Sequence, residues 1–253
     1  MVNIYSPDEI KLLQKSGAIL SRALHAVAAS AVVGITTLKL DALAERSIRA
    51  EGGAPAFLGY HEKDMRPYPA SLCTSINEEL VHCIPSRGRT LKSGDIVGLD
   101  LGVEYKGFIT DMAITVAVGP IELRIQKLLD VTQECLARAI AIARPGATTG
   151  DIGHAVQGYA ESQGFGVIRD LVGHGVGRAV HEDPKVPNYG NPGEGLALRE
   201  GMVLAIEPMI SMGGFRIKML SDGWGIAMAD GSLCAHFEKT VAITDLGSLV
   251  LTP

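Results

Sequence analysis

The chain repeats itself, and the repeat carries its acids. Gly34-Ile35-Thr36-Thr37 returns 112 residues later as Gly146-Ala147-Thr148-Thr149. Each copy leads into a helical pattern that stops at a glycine, Gly52 and Gly164, again 112 apart. The run from Leu91 to Asp100 returns 107 residues on, from Leu198 to Glu207, so that Asp100 falls on Glu207. Asp111-Met112-Ala113-Ile114-Thr115 matches Glu238-Lys239-Thr240-Val241-Ala242 in the same way. Glycines, helices and carboxylates recurring in one order are more than short apolar strings share by chance. Such a chain is expected to fold as two equivalent halves, about 1–119 and 120–253, with a pseudo-twofold relation. Four strand-borne carboxylates then converge where the halves join.

Length and composition allow this. The 253 residues are 47% hydrophobic and 20% charged, which suits one large catalytic domain over 1–253 with a real core. The net charge is −5 and no run of Lys and Arg stands out, which argues against a nucleic-acid partner. The longest uninterrupted apolar stretch near the start, Ala26–Ile35, is ten residues, too short for a bilayer. The first residues lack a basic region followed by an apolar run, so no signal peptide is read there. Cys73, Cys83, Cys135 and Cys234 have neither CxxC spacing nor the density of a disulfide scaffold. A cytoplasmic protein without a membrane partner is the expectation.

The elements follow from local signals. Ser6-Pro7-Asp8-Glu9 reads as a helix start, with Ser at the N-cap, Pro at N1 and Glu at N3. That helix runs toward residue 30. A second covers Leu40–Ala50, a third Glu122–Ala143 and a fourth about 150–163. Residues 71–76, 95–103 and 108–118 read as strands, and glycine-rich, strand-like sequence dominates the rest. If Tyr105 and Lys106 form the tip of the 95–118 hairpin, Asp100 lies directly opposite Asp111. Two carboxylates so placed among Ile, Val and Leu repel, and must share a proton or bind a cation. An isolated Asp pair is as often solvated; the echo in Glu207 and Glu238 shifts the balance.

Two further segments add imidazoles. Gly173-His174-Gly175-Val176-Gly177-Arg178-Ala179-Val180-His181 places two His seven apart among three glycines, which let backbone approach a ligand or metal closely. HExxH is absent, so the helical zincin arrangement is excluded. Asn77–Pro85 sets His82 just beyond a strand, a weak signal alone.

With Asn77–Pro85, Gly94–Thr115, Gly173–Gly190, Gly201–Met209 and Trp224–Thr244 in view, the chain resembles type I methionine aminopeptidases of the pita-bread metallopeptidase fold. The resemblance runs from about Ser6 to Thr252. It implies an α/β (α+β) fold: a curved central antiparallel sheet, outer helices and two pseudo-symmetric halves. It implies five ligands, Asp100, Asp111, His174, Glu207 and Glu238, for two divalent ions, with Asp111 and Glu238 bridging. Four carboxylates and an imidazole, without thiolate, suit Mn, Fe(II), Co or Zn. Cys73 and Cys234 are not taken as ligands.

The implied activity is hydrolytic removal of the first methionine from nascent proteins and peptides. Glu207 would be general acid–base, His181 would polarise the scissile carbonyl, and His82 would contact the scissile amide nitrogen. Tyr60, Tyr68, Cys73 and Trp224 would line an adaptable apolar slot for the thioether. A monomer meeting the ribosome only transiently is implied. The sequence departs from the family at four places. The loop His61–Tyr68 is a few residues longer, Val180 stands where some relatives carry an aromatic, His236 replaces a Gln, and Met112 follows Asp111 in place of a small hydroxyl residue. If 236 and 238 share a strand face, His236 lies near the metal ligands. Two other readings exist: an X-Pro-cleaving relative of the prolidase or aminopeptidase P type, and a non-catalytic pita-bread binding module. The first usually has an added N-terminal domain; the second usually loses ligands.

Overall fold

The computed structural model describes residues 2–61 and 66–253. Helix α1 (Pro7–Ala29) starts at a capping box in which Ser6 and Glu9 satisfy each other's backbone N–H. Helix α2 (Thr37–Ala50) begins three residues before the expected Leu40, because Thr36 already supplies the extended N-cap backbone. Helices α3 (Leu123–Ile142) and α4 (Thr149–Ser162) occupy the equivalent places in the second half. The repeat is physical: α2 and α4 have the same length, and each is preceded by a threonine in an isolated bridge, Thr36 with Thr90 and Thr148 with Ala197.

The strands form antiparallel ladders. In the first half β1 (Leu72–Ile76) and the short Ala54–Pro55 strand flank one edge of β2 (Ile96–Tyr105), and β3 (Phe108–Ala117) pairs with its other edge. The second half holds a five-stranded sheet of β4 (Gly173–Gly175), β5 (Glu182–Val186), β6 (Val203–Ile206), β8 (Lys239–Thr244) and β9 (Gly247–Val250), in the order β9-β8-β6-β4-β5. Strand β7 (Cys234–His236) precedes β8 and pairs with Met209–Ser211. This is the α/β pita-bread arrangement, helices outside and sheet within. Each half has its own core. Leu20, Leu24, Leu40 and Ile48 pack on Leu99 and Leu101 in the first; Leu128, Leu136, Ile152 and Val156 pack on Leu204 and Val241 in the second. Each such Leu or Ile contributes about 1.5–3 kcal/mol by leaving water.

The hairpin register corrects one expectation. Tyr105 pairs with Phe108, and the tip is Lys106-Gly107, with φ of 52° and 83°. Two consecutive positive φ values make the two-residue turn whose twist matches a hairpin, and Gly107 takes that conformation without penalty. The ladder therefore sets Asp100 opposite Ala113 and Asp111 opposite Gly102. The two acids are diagonal neighbours on one face, not direct partners. In the second half Glu207 and Glu238 lie just beyond the last paired residues, Ile206 and Lys239, in continuing register.

Side chains stitch the halves together at β3, β7 and β8. Thr240 Oγ1 donates to Asp111 O (2.7 Å) and accepts from Asp111 N (2.9 Å). Glu238 N donates to Ala113 O at 2.8 Å. Thr115 Oγ1 donates to His236 O (2.9 Å) and accepts from His236 N (3.0 Å). Thr240 is fully buried and Thr115 nearly so. Asp111 within β3 and Glu238 between β7 and β8 are thus locked to the same seam.

Candidate metal centre and active site

The acids converge at that seam. Asp111, His174 and Glu238 each offer a ligand atom within 4.8 Å of the others. Glu207 Oε1 lies 3.5 Å from His174 Nε2, and Asp100 and Asp111 are diagonal neighbours on one sheet face. All five groups line one cavity of about 650 Å³. Its wall also includes His82, His181, His236, Tyr60, Tyr68, Cys73 and Trp224, so every expected site residue meets here.

Local sequence explains the placements. His174 sits at an irregularity in β4, between two glycines that the backbone demands. A Cβ at 173 would lie 2.5 Å from Ala205 O, and one at 175 would lie 2.1 Å from Asp183 O. The close approach these glycines permit is therefore strand to strand, not backbone to ligand. His174 Nδ1 faces Gly175 O at 2.9 Å. A proton there leaves Nε2, the atom facing Glu207, with its lone pair free. His82 follows the strand Glu79–Val81 with a φ of 60°, a left-handed conformation costly for a side-chain-bearing residue and common at functional sites. Strand β8 starts after Glu238, so His236 and Glu238 do not share one continuous strand. Phe237 packs in the core, while His236 Nε2 reaches 3.3 Å from Glu207 Oε2 and 3.9 Å from Glu238 Oε2.

The electrostatics are those of anions kept from water. Burial, followed by the neighbouring acids, pushes Asp111 and Glu238 well above the usual carboxylate range. Burial also raises Asp100. Burial would raise Glu207 too, but His236 and His174 beside it reverse the sign and hold it low. Burial drives His82 down to about 4, so its ring is neutral. Asp100 Oδ1 and Glu238 Oε1 are buried without a hydrogen-bond partner among the described residues. A buried carboxylate oxygen without a donor is costly unless a cation serves it. The donor set, carboxylates with one imidazole, is that of a hard-to-borderline divalent ion. The residues fit a divalent metal.

Beside the acids is an apolar pocket. Phe57, Tyr68, Ala70, Cys73 and Val180 pack together, with Tyr60 and Trp224 against them. Tyr68 and Trp224 meet edge to face at 5.2 Å. Cys73 is paired with Asp100 across the sheet. Burial and that neighbouring acid keep its thiol protonated, so it offers no thiolate to a metal. All four cysteines are buried and free. His181 stands at the exposed mouth, its ring edge-on to His174 at 4.6 Å and its Nδ1 2.8 Å from Tyr60 Oη.

Comparison with known proteins agrees with this geometry. The sequence matches the metallopeptidase family M24 over residues 11–245. The chain belongs to that family. It is 45% identical to the methionine aminopeptidase of Clostridium acetobutylicum, across 100% of this chain and 99% of that one. It is 43% identical to methionine aminopeptidase 1 of Bacillus subtilis, with the same coverage. The crystal structure of methionine aminopeptidase from Thermotoga maritima superposes on it with a TM-score of 0.96 at 44% identity, covering 100% of this chain and 99% of that chain.

Several residues of this M24 site escaped sequence reasoning. Asn188 Nδ2 donates to Glu207 O at 2.9 Å from a buried position. Thr115 and Thr240 look like ordinary strand threonines; only their alignment beside repeated acids hints at a role. Of the longer loop His61–Tyr68, residues 62–65 lie outside the described residues. Among the described residues no helix is long and apolar enough to cross a membrane.

Proposed function

We propose that this chain, with 1–253 acting as one catalytic unit, removes the first methionine from peptides and nascent proteins by amide hydrolysis. The observation that carries the reading is the convergence of Asp111, His174 and Glu238 beside the apolar pocket of Tyr68, Cys73 and Trp224. Asp100, Asp111, His174, Glu207 and Glu238 would hold two divalent ions, Mn, Fe(II), Co or Zn. When bound, such ions lower the pKa of the attacking water and stabilise negative charge developing on the carbonyl oxygen.

The chain's own groups do the rest. Glu207, held ionised by its histidine neighbours, takes the proton of the attacking water and passes it to the leaving amine. Tyr60 Oη lies 2.8 Å from His181 Nδ1; with the hydroxyl as donor the ring carries its proton on Nε2, which then points at the substrate carbonyl oxygen. Neutral His82 contacts the scissile nitrogen. Tyr60, Tyr68, Cys73 and Trp224 hold the thioether in apolar surroundings, and the substrate's free α-amine would lie next to one of the ions, which confines cleavage to the first residue. The protein works as a cytoplasmic monomer on chains leaving the ribosome, without a nucleic-acid or membrane partner of its own.

The test is hydrolysis of Met-Ala-Ser beside Ala-Pro-Ala, after exhaustive chelation and after reconstitution with each metal in turn. Metal-dependent cleavage of the methionyl peptide alone is expected. Cleavage of Ala-Pro-Ala would favour the prolidase-type reading, and full activity in protein verified to be metal-free would end both.

A further inference from the structure

His181 is carried by a short loop that the first residues of the chain hold in place. The Glu182 carboxylate accepts four donors. On Oε1 these are Arg178 N (2.7 Å) and Ala179 N (2.8 Å), and on Oε2 they are Asn3 Nδ2 (2.8 Å) and Tyr5 Oη (2.9 Å). Tyr5 Oη in turn accepts from Arg178 N at 3.0 Å. Tyr5 is buried, and its own N donates to Gly201 O at 2.7 Å, tying the segment to the second half. The loop is fitted to this tyrosine: a Cβ at Gly177 would stand 2.2 Å from Tyr5 Oη. Gly177 O accepts from Ile109 N at 2.7 Å, anchoring the loop to the acid-bearing hairpin. The two backbone donors to this carboxylate close residues 178–182 into a small ring, with His181 between its anchors. The imidazole of His181 projects from it toward Tyr60 and His174.

We propose that Tyr5 and Glu182 are positioning residues for His181, the N-terminal segment setting where its imidazole stands over the scissile carbonyl. The inference rests on the role given to His181 above. A displacement of well under 1 Å is enough to weaken a hydrogen bond that matters only as charge develops. Removing the Tyr5 hydroxyl should therefore slow turnover more than it weakens substrate binding.

The experiment is a double-mutant cycle in metal-reconstituted enzyme with Met-Ala-Ser as substrate. Tyr5→Phe is expected to lower kcat about 5- to 20-fold with KM changed by less than about twofold. In a His181→Ala background the same substitution should cost less than about twofold, because the group it positions is gone. Glu182→Gln, which keeps a carbonyl oxygen for the 178 and 179 amides, should retain more kcat than Glu182→Ala. Metal content and melting temperature, measured beside each variant, separate positioning from unfolding. An equal loss in both backgrounds, or wild-type kcat in Tyr5→Phe, would overturn the inference. Wild-type kcat in His181→Ala would remove the role of His181 and this inference with it. An inactive wild-type enzyme would instead defeat the proposed function itself.

Discussion

Asp111 sits where three demands meet. Its backbone N and O are both tied to Thr240, its Oδ1 accepts from Met112 N at 2.9 Å, and its carboxyl faces His174 and Glu238. Asp100 lies on the neighbouring strand, outside the tightest ligand group. If Asp111 serves both ions, Asp111→Asn should lose at least tenfold more metal affinity than Asp100→Asn in titration calorimetry; equal losses would contradict the bridging role. The chemistry of these residues was legible from type and spacing, because a buried acid needs a cation or a proton wherever it is placed. His82 was less legible. Its left-handed backbone depends on the turn at Asn77-Glu78 and on the strand Glu79–Val81, which are fixed by packing and not by the imidazole.

Among the elements, the seam of β3, β7 and β8 carries the site. Thr240→Val preserves shape and burial but leaves Asp111 N and O without their partner. Each buried backbone group so orphaned costs about 1–3 kcal/mol. Thermal or urea unfolding should show a loss of about 2–4 kcal/mol, and Thr240→Ser should recover much of it. Gly175→Ala tests the other half. A methyl 2.1 Å from Asp183 O forces β4 and β5 apart at His174, so stability should fall by more than about 2 kcal/mol, with metal affinity falling alongside. The start of α1 was readable because Ser6 and Glu9 act on their immediate neighbours; that of α2 was not, because Thr36 makes no side-chain cap and its extended backbone is set by the bridge to Thr90. The hairpin tip was misjudged by one residue. Tyr105-Lys106 and Lys106-Gly107 are both plausible by composition, and only pairing of the whole ladder decides between them.

At the scale of the whole molecule, the clustered acids make stability depend on pH and metal together. Asp111 and Glu238, raised by burial and by the neighbouring acids, keep their protons to higher pH than the unfolded chain does. His236 adds the same sign: burial lowers it, but Glu207 and Asp100 more than restore its proton. His82 and His181, both lowered to about 4 by burial, oppose this only below about pH 6.5, and Lys239, lowered to about 8 by burial, only above that value. Between about pH 6.5 and 8 the metal-free protein binds more protons folded than unfolded, so its stability should fall as pH rises. Calorimetry after chelation should show Tm dropping by about 3–6 °C across that window, with a shallower slope in Glu238→Gln. Saturating divalent metal should reverse the trend, because ligation replaces the protons. A flat profile in chelated protein would contradict the raised carboxyls.

What the sequence alone determined is the inventory and its order: two repeated halves, four helices among the described residues, and acids recurring in matching sequence, although Glu207 and Glu238 stand just past their strands where Asp100 and Asp111 lie within theirs. Those follow from signals spanning a few residues, or from comparing the chain with itself. Only the tertiary structure decided that Asp100 and Asp111 are diagonal neighbours, that Thr115 and Thr240 seam the halves, and that Tyr5 reaches Glu182 across 177 positions of sequence. Contacts of that kind depend on the register and packing of whole sheets, and no local preference of a tyrosine or a threonine encodes which distant carboxylate or carbonyl it will meet.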